Sequence, residues 1–315
     1  MNTKTHEFDT VILGGGPAGL SAAIYAARGA CSTAIIDTSM LGGQPTNYLE
    51  LENYPGFGII DGFDLMEKFE QHADKFGVAK FPMQEIVNID LLSQIKTINT
   101  KDSVFKAKTV IIATGAQAKK LGIPGEKEFI GRGVSYCAVC DGAFYKDKIV
   151  AVVGGGNAAI EEAMYLTKFA NKVYVIHRRD TLRADKIIQE RAFKNEKIEF
   201  VFDTIPKEIL GENLVTAIVL ENIKTKNISN LQVGGVFPYI GFSPNVDGID
   251  GLSQDEAGFI ITDETMQTSA LGVFAVGDVR RTPLRQVITA ASDGSIGAVY
   301  AVKYLERIKS EIKVK

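Results

Sequence analysis

Cys137 and Cys140 stand in the run Cys137-Ala138-Val139-Cys140, two thiols separated by two residues. That spacing suits a redox disulfide or half of a metal site. A structural zinc needs about four ligands. Beyond the pair, the soft donors are Cys31 and the histidines His6, His72 and His177, none of them at metal spacing. The pair therefore reads as a redox dithiol, with two buried free thiols as the bland alternative. Asp141 follows directly, a carboxyl placed to give a proton to a thiolate. Cys31 stands alone and reads as a small buried side chain.

Glycines mark two further centres. Gly14-x-Gly16-x-x-Gly19 follows an apolar run and opens a helical pattern. In that context Gly14 permits the tight turn, Gly16 lets backbone approach a pyrophosphate, and Gly19 lets the helix pack on the strand. The helix N-terminus then turns its unpaired N–H groups toward phosphate. Asp37, 23 residues after Gly14, is placed to accept from a ribose diol. The second copy is Gly154-x-Gly156-x-x-Ala159, and at the offset of Asp37 it carries His177, followed by Arg178, Arg179 and Arg183. A carboxylate there would repel a 2′-phosphate, whereas guanidinium groups clamp it. Each charge-assisted bond is worth roughly 1.5–3 kcal/mol. Two of them imply a preference for NADPH over NADH on the order of 10²–10⁴. His177 by itself reads more often as a strand-end histidine than as a functional one, and a solvated basic face is the bland alternative for the arginines. One acidic ribose reader and one basic phosphate reader assign FAD to the first site and NADPH to the second. Ala113-Thr114-Gly115 and Gly277-Asp278 follow strand patterns, where open α/β sheets bind ligands, and Asp278 is placed to accept from a ribityl hydroxyl.

The elements that position these residues form an internal repeat. VILGGGPAGLSAAIYAARGACSTAIID, from Val11, returns as AVVGGGNAAIEEAMYLTKFANKVYVIH, from Ala151. A shift of 140 superposes Gly14 on Gly154, Tyr25 on Tyr165 and Asp37 on His177. A whole βαβ unit is thus present twice, and the chain is α/β. The pattern predicts strands at 8–13 and 33–36 and a helix at 20–28. It predicts a helix capped by Asp61 with Phe63, Met66, Phe69, Ala73 and Phe76 on its apolar face. Strands follow between 78 and 112, a helix over 184–195 and strands between 197 and 239. A late strand at 272–276 precedes a long C-terminal helix over 285–307, with Lys309, Lys313 and Lys315 fraying beyond it.

Composition agrees. The chain has 315 residues, enough for two domains at about 150 residues each. A net charge of -3 gives no electrostatic footprint for nucleic acid or an anionic membrane. No apolar run reaches the ~18 residues of a membrane span, and the polar N-terminus lacks a leader pattern. The expectation from these features is a cytoplasmic protein. Three cysteines are too few for a disulfide framework.

Two dinucleotide fingerprints with CAVCDG just before the second resemble the low-molecular-weight thioredoxin reductases. The resemblance spans nearly the whole chain. It includes GGGPAG at 14–19, GGQ at 42–44, ENYPGF at 52–57 and IIATGA at 111–116. HRRDTLRA at 177–184, GVFAVGD at 272–278 and RQVITAASDG at 285–294 complete it. The resemblance implies an FAD- and NADPH-dependent reductase of the thioredoxin disulfide, working as a homodimer. Carried over by motif, FAD contacts Gly16, Gln44, Asn53, Thr114, Asp278 and Gln286, and NADPH contacts Gly156, Arg178, Arg179 and Arg183. It implies two Rossmann-like domains, with an NADPH domain over 118–245 inserted into an FAD domain made of 1–117 and 246–315. It also implies that Cys140 lies next to the flavin, and that the insert rotates on crossings near 116–119 and 241–246. Val139 stands where the family commonly has a threonine, and Asp37 where it often has a glutamate.

Four other readings compete. A flavin ferredoxin–NADP reductase lacks the dithiol. A flavoprotein dithiol oxidase lacks the arginine cluster. A peroxiredoxin reductase with its own thioredoxin-like domain needs a longer chain. A redox sensor, whose nucleotide and dithiol state only alter partner binding, is separated from an enzyme by NADPH consumption in the presence of thioredoxin.

Overall fold

The computed structural model describes residues 4–47, 51, 53–136 and 138–313, the side chains of 139, 140, 312 and 313 excepted. The chain forms two compact units. Unit 1 comprises Met1–Gln117 and Ser243–Lys315, and unit 2 comprises Ala118–Phe242.

Unit 1 is built on β1 (Lys4–Leu13), β2 (Thr33–Ile36), β3 (Ala79–Phe81), β4 (Ile86–Asp90), β5 (Lys96–Thr100) and β6 (Ser103–Ile112). They lie in the order β3-β2-β1-β6-β5-β4, and β16 (Val273–Ala275) also pairs with β6. β1, β2, β3, β6 and β16 run parallel, while β4 and β5 are antiparallel additions. Alternate strand residues point to opposite faces. Ile12, Ile35, Ile111 and Phe274 therefore enter one core, and Val11, Leu13, Ala34, Ile36 and Ile112 the other. The first core is closed by α1 (Pro17–Arg28), α2 (Gly62–Asp74) and α6 (Val287–Lys313). α1 meets α6 through small residues; a Cβ on Gly294 would lie 2.1 Å from the carbonyl oxygen of Ala18.

Three sequence expectations need correction here. β1 begins at Lys4 rather than Phe8, because Lys4–Phe8 pair with Ser103–Ala107 of β6 despite their polar composition. α6 runs to Lys313, so Lys309 is helical instead of frayed, and its Nζ lies 3.7 Å from Asp9 Oδ1. Asp61 caps α2 by accepting from the N–H groups of Phe63 and Asp64, yet the expected apolar face is only half used. Met66 and Ala73 are buried, whereas Phe63 is 60% exposed.

Unit 2 repeats the parallel scheme with β8 (Ile149–Gly154), β9 (Lys172–Ile176), β10 (Ile198–Val201) and β14 (Gly235–Tyr239), ordered β10-β9-β8-β14. It carries α3 (Ala138–Asp141), α4 (Asn157–Leu166) and α5 (Lys186–Phe193), the last shorter than the 184–195 expected. A three-stranded antiparallel sheet, β11 (Thr204–Gly211), β12 (Val215–Asn222) and β13 (Ile228–Gln232), packs with Phe129, Val153 and Val236 in a second core. Two short strands, β7 (Ala116–Ala118) and β15 (Phe242–Pro244), pair where the chain passes between units. Each unit thus contains a Rossmann-like parallel sheet. Among the described residues no helix is long and apolar enough to cross a membrane.

Candidate functional site

The first glycine loop sits where β1 gives way to α1. Gly14 has φ +102°, a conformation that excludes most side chains, and its Cβ would lie 2.4 Å from the Ala113 carbonyl oxygen. A Cβ on Gly19 would lie 1.9 Å from the Gly14 carbonyl oxygen, so helix and loop are in backbone contact. Gly16 differs: the nearest atom to its Cβ position is Gly43 Cα at 3.8 Å. This glycine N-caps α1 with no side chain over the helix end, and Pro17 at the first turn has no N–H to satisfy. The loop therefore leaves an open, positively polarised helix end at its middle.

Asp37 lies at the end of β2 beneath this loop. Its Oδ2 accepts from Gly15 N–H at 2.6 Å, and its Oδ1 from Ser39 N–H at 2.8 Å and Ser39 Oγ at 2.9 Å. The carboxylate keeps lone pairs for a ligand while its orientation is set by backbone. Gln44 Nε2 donates to the Ala116 carbonyl. Asn53 Nδ2 donates to Gln286 Oε1 at 2.8 Å, which brings two distant expected ligands together. Thr114 Oγ1 donates to the Asn245 carbonyl at 2.6 Å, and Asn245 Nδ2 returns a bond to the Thr114 carbonyl at 2.9 Å. Asn245 is a residue that sequence reasoning missed.

Asp278 follows β16 in a short 3₁₀ turn over Gly277–Val279. Burial pushes its carboxyl up to about 6, with Asp293 adding to the rise and Arg285 opposing it. The neighbouring Asp293 is held otherwise. Its Oδ2 accepts from Arg280 at 3.0 Å and from Gly277 N–H at 3.2 Å. Arg285 lies 4.1 Å from the centroid of the Phe259 ring, with its Nε buried and unpartnered. A polar wall of Asp278, Arg280, Arg285 and Asp293 thus stands at the C-terminal end of the sheet; of these only Asp278 was singled out by its spacing.

The second loop has the same construction. Gly154 has φ +158°, with its Cβ position 2.3 Å from the Tyr239 carbonyl oxygen and 2.7 Å from Ala159 Cβ. No atom lies within 4 Å of a Cβ placed on Gly156, which N-caps α4 without a side-chain cap. Asn157 and Asp185 exchange bonds, Asn157 Nδ2 to Asp185 Oδ2 and Asp185 N–H to Asn157 Oδ1, each 2.7 Å. They tie the start of α4 to the start of α5, a link the sequence did not reveal. His177 is 5% exposed, and its ring lies against Gly155, whose Cβ would come within 2.4 Å of it. The ring supports the loop from below, and its Nε2 is buried without a partner. Burial first, then Arg183, Arg179 and Arg178, hold its pKa below the usual value. Those three arginines are exposed, and all three lie near enough to act on the charge of His177. The N–H groups of Arg183 and Ala184 both donate to the Gly155 carbonyl, at 2.7 and 3.1 Å.

Cys137, half of the expected dithiol, lies outside the described residues, and Cys140 falls in α3. Asp141 ends α3, makes no side-chain capping bond, and helps raise Tyr145 to about 12 after burial. Tyr136 and Ala138 flank Cys137. Tyr136 Oη donates to Glu126 Oε1 at 2.8 Å, and Ala138 N–H donates to Tyr239 Oη at 2.8 Å. Cys31 is buried, and desolvation raises its thiol pKa. No group of three or more His, Cys, Asp or Glu arranged for a metal occurs among the described residues.

The residues present fit two dinucleotides. Open space at Gly16 and Gly156, beside uncapped helix ends, matches what a pyrophosphate fills. The acidic partner at the first loop and the arginines at the second match a free ribose diol and a 2′-phosphate.

Residues 8–294 match the family described as pyridine nucleotide-disulphide oxidoreductase. The chain is 44% identical over 315 residues to a thioredoxin reductase of Listeria innocua serovar 6a, covering 99% of this chain and 98% of that one. It is 46% identical over 308 residues to the thioredoxin reductase of Bacillus subtilis strain 168, covering 97% of each. Among solved structures, Lactococcus lactis thioredoxin reductase in its FR conformation is similar with a TM-score of 0.85 and 45% identity, over 95% of this chain and 99% of that one.

Proposed function

Because the chain belongs to the thioredoxin reductases of the pyridine nucleotide-disulphide oxidoreductase family, we propose that it reduces the thioredoxin disulfide with NADPH. Unit 1 holds FAD, and unit 2 holds NADPH and carries the Cys137/Cys140 dithiol. The net change is NADPH, a proton and a disulfide giving NADP⁺ and two thiols. The observation that carries this reading is the pair of open glycine loops with different partners, a carboxylate at Asp37 and arginines around Gly155.

FAD, when bound, relays electrons two at a time between nicotinamide and dithiol. The chain supplies position and proton control. Gly14, Gly16 and Gly19 bring the α1 N-terminus to one pyrophosphate, and Gly154, Gly156 and Ala159 bring the α4 N-terminus to the other. Asp37 accepts from a ribose diol. Gln44, Asn53, Thr114, Asp278 and Gln286 line the remainder of the FAD site. Arg178, Arg179 and Arg183 pair with the 2′-phosphate, above the support given by His177. One thiolate of the dithiol attacks the thioredoxin disulfide and forms a mixed disulfide; the second thiol then displaces reduced thioredoxin and closes the Cys137–Cys140 bond. Asp141 gives a proton to the departing thiolate.

A groove and exposed apolar side chains on unit 1 support a homodimer. A groove of about 580 Å³ is lined by Tyr25, Tyr54, Phe57, Phe69, His72 and Ile288. Tyr25, Phe63 and Ile288 are exposed on the helices around it, and a second copy of the chain covers them in this reading. The reading puts the work in the cytoplasm, where a reducing pool keeps such a dithiol in use.

The test mixes the protein with FAD, NADPH and thioredoxin, and follows NADPH absorbance with reduction of insulin disulfides. NADPH consumption that depends on thioredoxin supports the reading. Binding of both nucleotides with no thioredoxin-dependent consumption would favour the redox sensor.

A further inference from the structure

The two βαβ copies differ at the first helical position after their glycine loops. By the shift of 140, Pro17 in the first copy corresponds to Asn157 in the second. In both copies the carbonyl of the middle glycine accepts from a later segment. Gly15 accepts from Gly42 N–H at 2.8 Å, and Gly155 accepts from Arg183 N–H at 2.7 Å and Ala184 N–H at 3.1 Å. The second copy adds a side-chain link that a proline cannot make. Asn157 Nδ2 donates to Asp185 Oδ2, and Asp185 N–H donates to Asn157 Oδ1, each at 2.7 Å. Three consecutive N–H groups, of Arg183, Ala184 and Asp185, are thus turned onto the loop and its helix. Asp185 stands at the N-cap of α5, where a carboxylate ordinarily accepts from its own helix. It makes no such bond, and its carboxylate goes to Asn157 instead.

We propose that Asn157 and Asp185 are positioning residues that hold Arg183 beside the second glycine loop and so sharpen its preference for a nucleotide bearing a 2′-phosphate. The inference deepens the reading given above for that loop and rests on it. Arg183 is exposed, and a long exposed side chain loses freedom when it clamps a phosphate. A backbone that is already fixed lowers that ordering cost. Arg183 is fixed by its own N–H, and two residues later by the pair with Asn157. Charge acts in the same direction. A carboxylate two residues from Arg183 is a competing anion for that guanidinium, and the bond from Asn157 aims it at the start of α4. Burial acts first on the charge of His177, and among the arginines Arg183 acts most strongly. The His177 ring lies against Gly155, so the held segment keeps its positive charge at the loop.

The experiment measures NADP⁺ and NAD⁺ binding to the FAD-loaded protein by isothermal titration calorimetry, without turnover. Asn157→Ala is expected to weaken NADP⁺ binding about three- to tenfold, while NAD⁺ binding stays within about twofold of wild type. Asp185→Asn and Asp185→Ala both remove the charge, but the asparagine oxygen still accepts from Asn157 Nδ2. NADP⁺ should therefore bind Asp185→Asn about threefold more tightly than Asp185→Ala. Asn171→Ala removes a bond to the Asp147 carbonyl, beyond the C-terminal end of α4, and should match wild type for both nucleotides. Equal weakening of both nucleotides in Asn157→Ala would overturn the inference, since it marks a disturbed helix start that serves either pyrophosphate. NADP⁺ affinity within about twofold of wild type in Asn157→Ala would do the same, as would equal affinities of the two Asp185 variants or an equal loss in Asn171→Ala. If the wild type binds NADP⁺ no better than NAD⁺, the 2′-phosphate reading fails and takes the inference with it, a result distinct from an intact preference that does not respond to Asn157.

Discussion

Asp278→Asn separates what a residue costs the fold from what it gives the site. In the folded chain, burial lifts the Asp278 carboxyl from 3.8 to about 6. The difference corresponds to about 3 kcal/mol, at ~1.36 kcal/mol per unit of pKa. The sign follows from proton counting. Below about pH 4 the carboxyl is protonated in both folded and unfolded chains, and Asp and Asn are equivalent in charge. Between about pH 4 and 6 the folded chain keeps a proton that the unfolded chain has lost, so stability falls as pH rises. Above about 6 the full penalty is present. Asparagine has no such penalty, so the FAD-free variant should melt on the order of 6–12 °C above wild type at pH 7.5, at ~2–4 °C per kcal/mol. At pH 4 the gain should vanish. With FAD the order changes. A neutral amide replaces a charged acceptor at the proposed ribityl contact, and FAD affinity should fall about tenfold by flavin fluorescence titration. Wild type and variant melting together at pH 7.5, or a gain at pH 4 as large as at pH 7.5, would refute the burial argument. Greater stability with unchanged FAD affinity would remove Asp278 from the site.

Three other variants probe unit 2. Arg178→Ala with Arg179→Ala should raise the KM for NADPH by on the order of 10²-fold or more while leaving NADH nearly unchanged, since the lost contacts reach only the 2′-phosphate; steady-state kinetics with both nucleotides decides, and equal effects would reassign the arginines. Asp141→Asn should slow thioredoxin turnover by roughly 10²–10⁴, the size of a general acid–base contribution. Because Asp141 makes no capping bond, unchanged turnover would leave it without a proton role. Gly155→Ala brings a methyl within 2.4 Å of the His177 ring and should destabilise the chain by about 1–3 kcal/mol in urea melts. His177→Ala should recover part of that loss in a double-mutant cycle, and strict additivity would contradict the contact.

What could be read from sequence was what local chemistry dictates. Thr33–Ile36 is a strand at both of its expected ends because the β-branched Thr33 leads into the apolar run Ala34–Ile36, which Asp37 ends. Asp61 was legible as a cap because its acceptor bonds reach only to residues 63 and 64. The glycine loops were legible because backbone contact leaves no alternative residue at Gly14 or Gly154. The rest depends on partners far along the chain. Residues 4–7 become strand only through pairing with residues 103–106. The continuation of α6 places Lys309 near Asp9, 300 positions away. Asn245 holds Thr114 across 131 residues, and Tyr239 holds Ala138 across 101. Phe63 fits helical periodicity yet stays exposed, since periodicity states which face a residue shares and not whether anything covers that face.

The two copies of the βαβ unit show how one geometry serves two chemistries. Residues 37 and 177 occupy equivalent positions, as do 15 and 155. In both copies the later residue touches the middle glycine of its loop. In the first, a carboxylate does so by accepting the Gly15 N–H. In the second, an imidazole does so by packing on Gly155. The contact has been kept while the polarity beneath the loop has changed from negative to neutral, with positive charge added at Arg178, Arg179 and Arg183. A carboxylate at 177 would pair with those arginines and draw them from any bound phosphate. A neutral ring supports the loop and leaves them available. Burial and the arginines both act to keep His177 uncharged, so in the proposed reading the support and the charge selectivity of the loop arise from the same cluster.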